Sequence, residues 1–412
     1  MAGDTQRPQV PIRTQAAIYG AGLFSNSMSD VASVVLPLWL ASLGYSAAII
    51  GIVVGAKHIL PLFLAIHGGA LIDRLGARRV MLAAALVSTL VLPLFPFQTF
   101  IVVIIALQML NGFASALCWI GAQACFGRIL HGHPDYAGPF AFSLRIGSFI
   151  GPPLGGLAYD LAGIDGGIAV LTLWALGTWL AAWTLPPSRA LPTGQHRVAL
   201  ADLVPRVSDY TAALHLAAAP AMATVLMITV FRIAASSIQD SFYPIYLKSI
   251  GFHATQIGIL ITVSSAFAAA GALSIGRLSR HFSGLRMLIA TTVGSIVFIA
   301  ATPLFTAYWL LMITAALRGV CMGISQPLML TLLVGAAERD SQGLGVSLRT
   351  TANRAAAAVT PMTMGLVAAV VGLSASFLVV GAALLGGILY VARRVEPPRP
   401  TVDEATTTRA TP

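Results

Sequence analysis

The chain is 412 residues long, 57% hydrophobic and 9% charged, with a formal net charge of +10 and a mean hydropathy of +0.85. Water-soluble domains carry about 25% charged residues, so the composition excludes a soluble globule and places the chain in a lipid bilayer. The positive balance does not indicate nucleic acid, which requires basic residues gathered on one water-facing surface; here they fall between apolar runs.

Residues 1–16 lack the short apolar core and cleavage site of a signal peptide and are expected to form a cytoplasmic N-terminal segment. A helix needs about 20 mostly apolar residues to cross the hydrocarbon. Six such runs follow, at 17–43, 47–71, 80–97, 99–128, 141–163 and 167–185, making a first bundle over 17–185. The polar, proline-containing stretch 186–213 reads as a cytoplasmic central loop. Six more runs, 218–250, 255–276, 285–305, 308–336, 343–372 and 374–392, fill a second bundle over 214–392, and 393–412 reads as a cytoplasmic tail. The expected fold is all-α, with twelve transmembrane helices in two pseudo-symmetric six-helix bundles.

On this layout Arg7, Arg13, Arg74, Arg78, Arg79, Arg128, Arg189, Arg197, Arg206, Arg277, Arg280, Arg286, Arg339, Arg393 and Arg394 share one side, and Lys248 marks the other. The positive-inside rule puts the termini in the cytoplasm, and the expected location is a plasma membrane, a bacterial inner membrane. Trp39, Tyr159, Tyr308 and Trp309 sit where interfacial anchors are expected. Cys118, Cys125 and Cys321 lie inside apolar runs and read as small buried hydrophobes; no metal set and no cofactor is implied. No GxxxxGK[ST], HExxH or GxSxG pattern occurs, so the sequence carries no catalytic residues of the ATPase or hydrolase kinds.

The halves repeat one another. Pro37, Leu40, Gly44, Gly51 and Gly69 match Pro244, Leu247, Gly251, Gly258 and Gly276 at an offset of 207, and Arg145, Pro152 and Gly156 match Arg354, Pro361 and Gly365 at 209. A slowly drifting offset is what duplication with insertions leaves. Repeated bundles place a substrate site at the midplane between them.

Two stretches carry a family likeness. GALIDRLGARRV, residues 69–80, resembles the cytoplasmic signature of the major facilitator superfamily, GxLaDrxGrrxxl, at Gly69, Leu71, Asp73, Arg74, Gly76, Arg78 and Arg79. RIGSFIGPPLGG, residues 145–156, resembles that family's fifth-helix antiporter signature, gxxxGPxxGG, at Gly147, Gly151, Pro152, Gly155 and Gly156. The resemblance implies a twelve-helix, proton-coupled antiporter whose gates involve Asp73, Arg74, Arg78, Arg79, Gly147, Gly151, Pro152, Gly155 and Gly156. Asp73 would cap the start of the eleventh helix while the cytoplasmic end is closed, a contact of roughly 0.3–1 kcal/mol. The sequence departs from the pattern at Gln108, where the fourth helix of such exporters carries an arginine, and in the second copy of the loop signature, which lacks the aspartate.

Ionisable residues at bilayer depth are costly and indicate function. Counting 1.5 Å per residue, Asp30 lies about 20 Å, and Lys57 and Asp240 about 16 Å, below the outer helix ends. Arg318 is near mid-depth, Arg145 and Arg354 lie in the cytoplasmic third, and Arg232 reads as a snorkelling anchor. A salt bridge between Lys57 and Asp30 is the plain structural reading, since buried charges are usually paired. Asp30, then Asp240, are the candidates for proton coupling; Asn26, Lys57, Arg145, Gln239, Arg318 and Arg354 are the candidates for substrate binding. Deep cations outnumber deep acids, which points to an organic anion or an acidic amphipath as cargo. The expected function is proton-coupled export of such a compound by a monomer in the bilayer, with a symporter importing an organic anion as the alternative and a non-transporting receptor as a more remote one.

Overall fold

The computed structural model describes residues 10–130, 133–186, 219–336 and 342–394. The first half contains α1 (Ile12–Ser42), α2 (Ala47–Ala56), α3 (Ile59–Leu75), α4 (Ala77–Val91), α5 (Ile101–Ile129) and α6 (Pro134–Thr184). The second contains α7 (Pro220–Ser249), α8 (Ala254–Leu278), α9 (Gly284–Ala300), α10 (Tyr308–Ala336), α11 (Gln342–Val371) and α12 (Leu373–Arg394). Among the described residues twelve spans result, because α2 and α3 are two pieces of one span and α6 supplies two. Its limbs, 134–161 and 164–184, meet where Ala162 and Gly163 leave helical geometry, Gly163 at φ +59°. Gly44, Gly76, Gly251 and Gly372 also adopt positive φ at turns, a conformation that costs glycine nothing.

Lipid tails are as apolar as leucine, so helices associate here through close packing at small residues. Gly147, Gly151 and Gly155 show this inside the first half. Gly147 lies on Ser27 and the Leu23 carbonyl, Gly151 on Val31 and Trp174, and Gly155 on Val31 and Val35, which brings α6 down onto α1. Trp174 Nε1 donates to Ser27 Oγ at 2.8 Å in the same contact. Trp39 is 3% exposed and stands edge-on to Phe95; it is a core residue and not the interfacial anchor expected from its place near a helix end. Trp309, 62% exposed, remains at the surface.

Two seams join the halves at the end remote from the termini. In one, Gly258 of α8 faces the Pro152 carbonyl of α6, and Gly156 faces the backbone of Ala254 and Thr255. In the other, Gly51 of α2 faces the Pro361 carbonyl of α11, and Gly365 faces the backbone of Ala47 and Ala48. A methyl group at any of these four glycines would overlap main-chain atoms. The seams are copies of each other, since 207 separates Gly51 from Gly258 and Ala47 from Ala254, and 209 separates Pro152 from Pro361 and Gly156 from Gly365. Proline chemistry adds a bond. Pro153 has no N–H to offer the Phe149 carbonyl, and that carbonyl accepts the Thr262 hydroxyl across the seam at 2.8 Å.

One seam carries a carboxylate. Asp160, at the end of the first limb of α6, accepts the backbone N–H of Ala254 at 2.9 Å, that of Thr255 at 2.8 Å and the Thr255 hydroxyl at 2.7 Å. Lys248 Nζ lies 3.9 Å away. The orphan donors at the start of α8 are thus satisfied from the opposite half. The corresponding position of the other seam, 209 residues on, is Ala369.

Candidate functional site

The second span breaks at Lys57 and His58, between α2 and α3. Pro61 explains the break: it has no N–H for the carbonyl of Lys57, four residues earlier, and its ring crowds that carbonyl. The chain tightens instead, with His58 N–H bonded to Gly55 O at 3.0 Å. Gly112 of α5 lies directly on the Lys57 backbone, so the break is held by a residue without a side chain. Lys57 and His58 thereby project into the space between the halves.

That space is a cavity of about 590 Å³ on the termini side of the two seams, and Pro361 belongs to both its lining and a seam. The first half contributes His58, Trp119 and Gln123; α7 contributes Arg232, Ser236, Ser237 and Asp240; α10 contributes Gln326; and α11 contributes Arg349, Asn353 and Arg354. A side chamber of about 190 Å³ shares Trp119 and Arg354 with it and reaches Asn26, Ser29 and Lys57. Arg354 Nη1 and His58 Nδ1, 3.5 Å apart, link the halves across the cavity.

The anticipated residues divide into three groups. Asp240, Lys57, Arg354 and Asn26 line the cavity or its side chamber. Asp30, half-buried on α1, lies near the Ser148 hydroxyl and in the fields of Asp240, Lys57 and Arg145; Asn26 Nδ2 meets the same hydroxyl at 3.5 Å. Arg318 and Gln239 sit apart, in a small pocket within the second half where Arg318 Nη2 donates to Ser264 Oγ at 2.9 Å. The Lys57 ammonium donates to Ser29 Oγ at 2.9 Å, and no ion pair within 4 Å joins it to Asp30 among the described residues, so the paired-charge reading gives way to a lysine held by a hydroxyl. Arg232 is also corrected: it is 5% exposed and faces the cavity, not the headgroups.

Of the gating candidates, Pro152 and Gly156 lie in the seam between halves, whereas Gly147, Gly151 and Gly155 pack within one half. Arg78 Nη2 bonds the Trp183 carbonyl at 2.9 Å, at the end of α6 in its own half; Arg74 is half-buried and Arg79 exposed. The Asp73 side chain and the first side chains of α11 lie outside the described residues. The sequence reading missed Arg349, Trp119, Gln123, Asn353, Ser148 and Asp160. Pro61 was a visible signal for the helix break; nothing in the sequence distinguished cavity-facing Arg232 and Arg349 from lipid-facing arginines. Among the described residues no group of three or more His, Cys, Asp or Glu could hold a metal ion.

Comparison with known proteins agrees with this architecture. The sequence pattern of the Major Facilitator Superfamily matches residues 18–234 and again residues 225–412, once for each half. No curated protein sequence matches the chain. Among solved structures, a mutant of the nucleoside transporter NupG is similar with a TM-score of 0.78 at 16% identity, covering 94% of this chain and 100% of that one. A second NupG structure gives 0.70 at 15% identity, covering 93% and 98%. A bacterial homologue of the human lysosomal transporter Spinster, in an inward-facing and unoccupied conformation, gives 0.68 at 13% identity, covering 95% and 100%. With a signature in each half, a fold shared end to end with transporters and a polar cavity between duplicated bundles, the chain belongs to the Major Facilitator Superfamily and is a multi-pass secondary transporter, not an enzyme.

Proposed function

We propose that the chain exports a small organic anion in exchange for protons across a plasma membrane, with both termini in the cytoplasm. One observation carries the cargo reading: Arg232, Arg349 and Arg354 line the cavity against Asp240, the single carboxylate among the described residues that line it. An empty chamber of that composition holds excess positive charge in a low dielectric, and an anion relieves it. The positive-inside rule supports the orientation, and with it the cavity faces the cytoplasm.

Asp30 is the first choice for the proton-carrying group and Asp240 the second. A carboxylate that is desolvated in one state and hydrated or paired in the other binds a proton in one and releases it in the other. The exchange direction rests on the fifth-helix resemblance. Gln108 favours the alternative, import of the anion together with a proton: it stands where exporters of this family carry an arginine, is 2% exposed and has an unpartnered Oε1.

Proteoliposomes with an internal pH indicator separate the two. An outward anion gradient acidifies the lumen under antiport and alkalinises it under symport. Asp30→Asn is expected to fold, to keep anion counterflow and to lose the pH response; an unchanged response refutes the assignment. Strong preference for permanent cations over carboxylates or phosphates refutes the anionic cargo.

A further inference from the structure

We propose that Arg232 of α7 and Arg349 of α11 form a receptor for a doubly charged oxyanion, a phosphate monoester on the transported compound. The proposal deepens the organic-anion reading and rests on it. Both guanidinium groups line the same cavity and act on each other as like charges. Arg232 is 5% exposed, yet its Nε has no hydrogen-bond partner, and the Nε of Arg349 has none either.

A buried guanidinium is normally paired, because an uncompensated charge away from water is expensive. Among the described residues no carboxylate is placed to serve this pair. Asp240 lies eight residues from Arg232 on α7, more than two helical turns, and the cations whose fields it feels are Lys57 and Arg318. Arg232, buried, and Arg349, half-buried, therefore await a counterion from outside the described residues.

Stoichiometry selects its class. Two guanidinium groups supply two positive charges and a fan of planar N–H donors, and a phosphate monoester brings about −1.5 to −2 at neutral pH with three acceptor oxygens. A carboxylate brings one charge and two oxygens and leaves one arginine unmatched. The repeat adds an independent point. At offsets of 207 and 209 the positions corresponding to Arg232 and Arg349 are Ser25 and Phe140, so the pair is peculiar to one half and is no part of the packing scheme that the halves share.

Full-length protein in phosphatidylcholine nanodiscs can be titrated with phenyl phosphate, benzoate and benzyl alcohol, read by tryptophan fluorescence, since Trp119 lines the same cavity. Phenyl phosphate is expected to bind at least tenfold more tightly than benzoate. Arg232→Gln and Arg349→Gln should each weaken phenyl phosphate at least tenfold and benzoate less than threefold. Arg232→Lys keeps the charge, loses the fork and is expected to weaken phenyl phosphate as well; if Arg232→Gln does not fold, this variant and Arg349→Gln carry the test. If phosphatidylglycerol nanodiscs abolish wild-type binding of phenyl phosphate, the two arginines take a singly charged lipid phosphodiester and the monoester receptor is overturned. Equal binding of phenyl phosphate and benzoate, or phosphate affinity that survives both substitutions, overturns the receptor and leaves the organic-anion reading standing. Absence of any anion binding, with benzyl alcohol or cations bound instead, overturns both.

Discussion

Asp160→Ala removes the carboxylate that ties α6 to the start of α8, and the structure sets the size of the effect. Three bonds of 2.7 to 2.9 Å are lost, all to donors of the opposite half. The side chain is 18% exposed, so water replaces part of what is removed, and the partly buried helix-terminus figure of up to about 2 kcal/mol applies. Opening of the remote end must part the halves at this contact, so that energy enters the two-state ratio and shifts it by up to about 30-fold towards the state open at that end. Asp160→Asn keeps an acceptor and should shift it about fivefold, for roughly 1 kcal/mol. Two readouts follow the change. Hydrogen exchange at Ala254 and Thr255 should accelerate, and spin labels at Phe97→Cys and Leu304→Cys, which are 79% and 65% exposed at that end of the two halves, should populate a longer distance in a background lacking Cys118, Cys125 and Cys321. Unaltered exchange together with an unaltered distance distribution would refute the reasoning.

The seams make a second prediction. Gly258→Ala and Gly51→Ala each push a methyl group onto a proline carbonyl and should lengthen the same label distance and cut transport at least tenfold, whereas Gly386→Ala, with no neighbour within 4 Å, should do neither. At the helix break, Pro61→Ala restores the missing donor, and a helix freed of an interior proline gains up to about 3 kcal/mol; thermal melting should rise while transport falls, because Lys57 is carried away from Ser29. Gly112→Ala should lower the melting point instead, by an overpacking cost of about 1–3 kcal/mol, since nothing but main chain stands opposite it. Melting temperature and flux measured on the same preparations check both.

The sequence was most informative where the bilayer leaves few choices. Span number follows from hydrocarbon thickness, and the glycine and proline matches at 207 and 209 mark residues that the structure places in the two seams. It was least informative about facing. Gly155 and Gly156 are adjacent and nearly identical in context, yet one packs on α1 and the other on the opposite half. Depth counting put Arg232 near the headgroups and Arg318 at mid-depth, but depth carries no azimuth: the first faces the cavity and the second is turned aside to Ser264. Asp160 escaped notice because it borders a turn, where a carboxylate is unremarkable until its partner helix is known.

The paired seams have a consequence for ancestry. Gly51 meets Pro361 as Gly258 meets Pro152, and Gly365 meets Ala47 as Gly156 meets Ala254, which is the reciprocal pattern of a self-complementary surface. A precursor of half the length could have formed the same interface as a two-fold symmetric homodimer, each subunit presenting both the donor and the acceptor side. Fusion freed each copy to diverge, and the Asp160 contact, answered by Ala369 on the other side, is a difference that two identical subunits could not have held.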